Sequence, residues 1–123
     1  MGKFVVKTSE SGVRFNLKAG NGETIAVSEV YSGDDACNKG IESVRKNAPI
    51  AKLEDQTVED FAVEVNPKFE VYVDKGGQFR FRLKARNGQI IAASEAYKTK
   101  ASCLNGVDSV RKNAPEAEVV KED

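Results

Sequence analysis

The sequence predicts an α+β protein built from two tandem β-β-β-α-β repeats. The repeats are expected to be related by a pseudo-twofold axis, their antiparallel strands covered on one face by two helices. Three observations predict this. "KAGNGETIAVSEVY" at residues 18–31 returns 66 positions later as "KARNGQIIAASEAY", and residues 15–49 align with 81–115 without a gap, 20 of the 35 pairs being identical. A repeat of this kind signals one structural unit built twice. Within each unit the apolar period changes from two to between three and four, the mark of strands followed by a helix. Finally, a unit of about 50 residues buries too little apolar surface to stand comfortably alone, so two units are expected to share a core.

The elements follow in order. A first strand begins at Phe4 or Phe69, where Phe69, Val71 and Val73 alternate with Glu70, Tyr72 and Asp74. After a Gly-containing turn, Val13, Phe15, Leu17 and Ala19 alternate with Arg14, Asn16 and Lys18, and Phe79, Phe81, Leu83 and Ala85 alternate with Arg80, Arg82 and Lys84. This pattern fits a sheet buried on one face and wet on the other. Asn21-Gly22 and Asn87-Gly88 predict hairpin turns, since both residue types tolerate positive φ. Third strands are expected over 24–28 and 89–94. Cys37, Gly40, Ile41, Val44 and Ala48 then fall on one helical face, as do Cys103, Gly106, Val107, Val110 and Ala114. Ser32 or Asp34 is the expected cap of the first helix, Thr99 or Ser102 of the second. Arg45-Lys46 and Arg111-Lys112 suit the helix C-terminal dipole, and Pro49 and Pro115 end the helices. Fourth strands are expected at Ile50–Leu53 and Ala117–Val120. The sequence reads as one compact domain over 1–123, with repeat one at 1–53, an acidic connector at 54–67 and repeat two at 68–123. In the connector, "FAVEV" alternates like a further edge strand.

The formal net charge is zero, but it is unevenly placed: +2 over 1–53, −5 over 54–67, +6 over 68–115 and −3 over 116–123. Acidic segments beside basic units are expected to neutralise them. No apolar run approaches the roughly 20 residues that span a bilayer, and "MGKFVVKTSE" has no secretory pattern, so no membrane association and a cytoplasmic location are expected.

The repeated pattern is similar to that of the YegP-like family of small bacterial and archaeal proteins. It is carried by Phe15, Leu17, Lys18, Ala19, Asn21, Gly22, Ser28, Glu29, Tyr31, Gly40, Ser43, Val44, Asn47, Ala48 and Pro49 and their partners at +66. The resemblance implies β-β-β-α-β units that form one sheet, in tandem or from two chains, and exchange their last strands. It implies no activity.

The composition excludes several chemistries. The chain has no histidine, hence no Ser-His-Asp or Cys-His arrangement and no imidazole metal ligand. Cys37 and Cys103 stand on apolar helix faces and are read as small hydrophobes. No catalytic residue, metal or cofactor is expected. Two residue groups remain. Ser28, Glu29 and Tyr31, with Ser94, Glu95 and Tyr97, stand between the third strand and the helix. They either line a cleft or fix the corner, Ser or Glu holding backbone N–H groups and Tyr packing its ring; the corner is the favoured reading. Arg80, Arg82 and Lys84 share the wet face of repeat two with Tyr72. That face is either an ordinary solvated surface or a platform for single-stranded nucleic acid, the second being the alternative reading. The favoured function is a non-enzymatic structural or association module, with a homodimer through a sheet edge as the partner expectation.

Overall fold

The computed structural model describes residues 2–122. The elements are β1 (Lys3–Ser9), β2 (Gly12–Lys18), β3 (Thr24–Val27), α1 (Asp34–Asn47), β4 (Lys52–Asp55), β5 (Lys68–Val73), β6 (Phe79–Lys84), β7 (Ile90–Ala93), α2 (Lys100–Asn113), a 3₁₀ turn (Ala114–Glu116) and β8 (Glu118–Glu122). One eight-stranded sheet runs in the order β4-β5-β6-β7-β3-β2-β1-β8. Its halves meet where Val27 of β3 pairs antiparallel with Ala93 of β7, two residues that occupy the same position in the repeat. Each helix reaches across this joint, α1 packing on β2 and β7 and α2 on β6 and β3.

The sheet is mixed, not wholly antiparallel as the alternation suggested. The two outermost pairs, β4 with β5 and β8 with β1, are parallel. Parallel neighbours need a return run of about a dozen residues, and the connector between β4 and β5 supplies it. This corrects the expected role of "FAVEV": residues 61–65 lie in no strand, and β4 extends to Asp55, two residues into the segment read as connector. The fourth strands also begin later than expected, at Lys52 and Glu118. Ile50 and Ala51 are still held by the helix end, both donating their N–H groups to the Asn47 carbonyl.

The β2–β3 and β6–β7 hairpins differ from expectation in one detail. Only the glycines, Gly22 and Gly88, have positive φ. The asparagines instead accept the N–H two residues on through Oδ1, at 3.0 Å in both repeats. Gly22 and Gly88 donate to the carbonyls of Ala19 and Ala85, as in a type I turn followed by a left-handed glycine. At the helix starts Thr99 caps α2, accepting the Ser102 N–H at 3.1 Å. Gly33 is the N-cap of α1 and makes no side-chain bond; Asp34 is already helical.

The core lies between the sheet and the two helices. Phe4, Phe15, Phe69 and Phe81 are fully buried, and meet edge to face within each repeat, with ring centroids 5.5 and 6.0 Å apart. The predicted apolar helix faces are the buried ones. Arg45 and Arg111 add a reciprocal tie. Each lies over a phenylalanine of its own repeat, Phe4 or Phe69, and donates to a backbone carbonyl of the other repeat, Ala117 or Ala51.

Candidate functional site

The repeated corner is built from its serine upward. Ser28 ends β3 just where the ladder to β2 would continue. Its Oγ accepts the Phe15 N–H at 2.9 Å and donates to the Glu29 carbonyl at 2.7 Å. Ser94 does the same with Phe81 and Glu95, at 2.9 and 2.8 Å. Each hydroxyl thus stands in for a ladder partner and turns the chain toward the helix. Three residues on, Tyr31 and Tyr97 re-enter the sheet as isolated bridges to Val13 and Phe79. Their rings stack on Phe15 and Phe81, 6.3 Å between centroids in both cases. Gly40 and Gly106 make room for them: a Cβ added at Gly40 would stand 2.7 Å from the Tyr31 Cζ, and one at Gly106 3.0 Å from the Tyr97 Cζ. The helix glycines therefore seat the tyrosine rings. Burial first, then Glu29 and Cys37, push the Tyr31 phenol upward; burial, then Cys103 and the acids Glu95 and Glu23, do so for Tyr97. Neither phenol is prepared to give up a proton. Glu29 and Glu95 point to solvent as exposed residues.

Ser94→Ala is therefore expected to cost about 2 kcal/mol, because the Phe81 N–H loses its buried acceptor. Glu95→Gln should stay within about 0.5 kcal/mol. Denaturant unfolding of the two variants checks this, and a reversed ranking would return the corner to the list of candidate sites.

The basic side chains of repeat two are brought onto one face but are not free. Glu70, buried on that face, receives Arg82 at 2.5 Å and Lys84 at 3.3 Å, and Arg82 lies over the Tyr72 ring, 4.6 Å from its centroid. Arg80 pairs with Asp74 at 2.7 Å. Beside them lies a cluster that the sequence reading missed. Lys68, itself buried, bonds Glu54 at 2.8 Å and approaches Glu70 at 3.4 Å. The Glu54 carboxylate also accepts the Gln56 side chain and the Glu64 N–H. Burial pushes Glu54 upward, but the Lys68 ammonium, Gln56 and the Glu64 N–H together outweigh it and hold the carboxyl down at about 2. Glu70 is also lowered, Arg82 and Lys84 overcoming its burial. Two acids spaced by the repeat from valines were the available signal: Val5 and Val120 occupy the positions of Glu70 and Glu54 in the other half.

Cys37 and Cys103 are free thiols in the core. Burial, with Asp34 and Asp55 adding to it, pushes both upward, Cys103 to about 11, so neither is an activated nucleophile. Among the described residues no group of acids and cysteines is placed to hold a metal ion, and no helix is long and apolar enough to cross a membrane. An open groove of about 730 Å³ lies between α1 and the β6–β7 turn. A smaller depression of about 360 Å³ lies over the central joint, beside Glu23, Glu95 and Tyr97.

Comparison with known proteins places this architecture. The family model for a domain of unknown function, DUF1508, matches twice, over residues 9–55 and 74–120. A UPF0339 protein of Pseudomonas aeruginosa is 41% identical over 116 residues, covering 94% of this chain and 92% of the relative. A UPF0339 protein of Treponema denticola is 65% identical over 54 residues, which is 44% of this chain but 93% of that one; it matches a single unit. The solution structure of YegP from Escherichia coli, a protein of unknown function, superposes with a TM-score of 0.81 at 37% identity, covering 98% of this chain and 92% of its own.

Proposed function

The chain belongs to the DUF1508 (UPF0339) family of unknown function, and from that premise we propose that it is a non-enzymatic module that works by association through its surface. The observation carrying this reading is the commitment of the repeated motif to the fold: Ser28 and Ser94 are used up on backbone groups, and Tyr31 and Tyr97 are packed between sheet and helix. What the two repeats share is therefore construction, and what distinguishes them is surface. In finer detail we propose a pseudo-twofold through the Val27–Ala93 pair and an exchange of last strands. The pairing of β4 with β5 and of β8 with β1, and the crossed bonds of Arg45 and Arg111, support both. The two free, buried cysteines suit a reducing, cytoplasmic setting.

The nucleic-acid alternative is weakened by the ion pairs that Arg80, Arg82 and Lys84 make with Asp74 and Glu70, since a neutralised cation releases few counterions from a phosphate chain. Titration of a labelled single-stranded oligonucleotide at low salt is expected to show no binding. Salt-sensitive binding weakened by Arg80→Ala and Arg82→Ala would overturn the association reading in favour of the nucleic-acid one.

A further inference from the structure

Two surface features belong to neither the corner nor the ion-pair cluster, and they are complementary. The first is the groove between α1 and the β6–β7 turn. Lys39, Lys46 and Arg86 stand around it, Ala85 and the exposed Ile50 give it an apolar lining, and none of the three cations has an ion-pair partner among the described residues. The molecule carries its own control for this site. At the equivalent positions of the other repeat, Ile50 becomes Glu116, Lys39 becomes Asn105 and Arg86 becomes Gly20, while Asn38 becomes Leu104, which packs against the core. Lys46 and Ala85 recur as Lys112 and Ala19, and the acid Glu42 in the lining recurs as Asp108, so Lys39, Arg86 and Ile50 are what this half adds.

The second feature is the return run. Residues 58–65, "VEDFAVEV", carry three acids and no base. Glu64 turns inward to Lys52, 4.0 Å away, whereas Phe61, Val63 and Val65 face solvent, Val63 with 76% and Val65 with 68% of their surface exposed. Among the described residues, only the Glu64 N–H of those over 61–65 has a protein acceptor. An acidic segment with outward valines has the charge and apolar surface that a cationic, apolar groove accepts.

The two features lie side by side. Ile50 stands two residues before Lys52, whose N–H bonds Pro67 at the end of the run, and Asn66 lies against Gly88, next to Asn87 of the groove. The run crosses the sheet face opposite the helices, where the Glu64 N–H meets Glu54, and the groove lies on the helix side. The two share the rim formed by Ile50, Asn66 and Gly88, around which a segment and a groove can meet reciprocally across a twofold axis, giving a closed pair instead of an open chain of copies. The sheet edges are poorer candidates: β4 and β8 are short and charged, a composition that discourages strand addition. We propose that two copies of this chain associate around this rim, residues 58–65 of each lying in the α1/β6–β7 groove of the other. This deepens the association reading above by naming its partner as a second copy.

The test is sedimentation of the full chain over a wide concentration range at low and high salt, with the charge reversals Arg86→Glu in the groove and Glu59→Lys in the run. Both residues are exposed, so the variants are expected to keep the native circular dichroism spectrum. A dimer is expected that weakens with salt, weakens about tenfold or more in either variant, and is recovered when the two variants are mixed in equal amounts. A chain that stays monomeric, a dimer indifferent to both reversals, or variants that fail to recover on mixing would each overturn the inference. Capture of a different, identified protein by a strictly monomeric chain would leave the broader association reading standing.

Discussion

Replacing Glu54 by valine is expected to lower stability by about 3 kcal/mol, as read by denaturant unfolding at neutral pH. The loss arises on the partner. Lys68 is buried, and without Glu54 its ammonium keeps only the 3.4 Å approach to Glu70, which already serves Arg82 and Lys84. Removing one member of a buried pair leaves an uncompensated charge. Replacing both by apolar residues removes the charge as well, so Glu54→Val with Lys68→Val should fall within about 1 kcal/mol of the parent chain, and the cycle should show a coupling of at least about 2 kcal/mol. The pH dependence has a definite sign. The folded carboxyl of Glu54, at about 2, lies below its ordinary 4.5. Its contribution is therefore complete above about 4.5 and is lost as pH falls from there toward 2; Glu70 acts in the same direction. Lys68 is shifted upward, chiefly by its bond to Glu54, so its share is complete below its ordinary 10.5 and is lost at higher pH. Glu54→Val with Lys68→Val should flatten both limbs, and an unchanged acid limb would refute the role given to Glu54.

Gly106→Ala is expected to cost about 2 kcal/mol, although alanine in a helix interior ordinarily gains about 1 kcal/mol over glycine. The added Cβ would lie 2.6 Å from the Tyr97 Oη and 2.9 Å from Cε2 of the fully buried Phe81, and a close-packed core resists such additions. Gly40→Ala meets Tyr31 alone, at 2.3 Å from its Oη. It should cost less, and Tyr31→Leu should relieve part of the cost. The corresponding Tyr97→Leu should relieve Gly106→Ala less, because Phe81 remains. Thermal unfolding of the four chains decides the ranking; equal costs for the two glycines would mean that the tyrosines, not Phe81, set the limit in both repeats.

The two residue sets show what the sequence made legible. Periodicity identified the strands around Phe15 and Phe81 and the helix faces of Cys37 and Cys103, because burial on one side of a regular element leaves a period in the chain. The corner of Ser28 and Tyr31 was readable because its contacts are local: the Ser28 hydroxyl bonds Phe15, 13 residues away, and the Tyr31 backbone pairs with Val13, 18 residues away. Glu54 was harder to see. Its partner Lys68 lies across the return run, and an acid in an acidic segment looks the same whether it is solvated or buried. The parallel direction of β4 and β8 left no local trace either, since an alternating strand has the same pattern in both directions. The one indirect sign was the length of the segment from Gln56 to Pro67, too long for a simple turn.

The pairing of β1 with β8 has a mechanical consequence. These are the first and last strands of the chain, and they lie parallel and in register from Lys3 opposite Glu118 to Lys7 opposite Glu122. A force that pulls the two ends of the chain apart acts on the entry to β1 and the exit from β8, at opposite ends of the shared ladder. It slides one strand along the other and loads all their cross-strand bonds together, where an antiparallel pair at the same place would open one bond at a time.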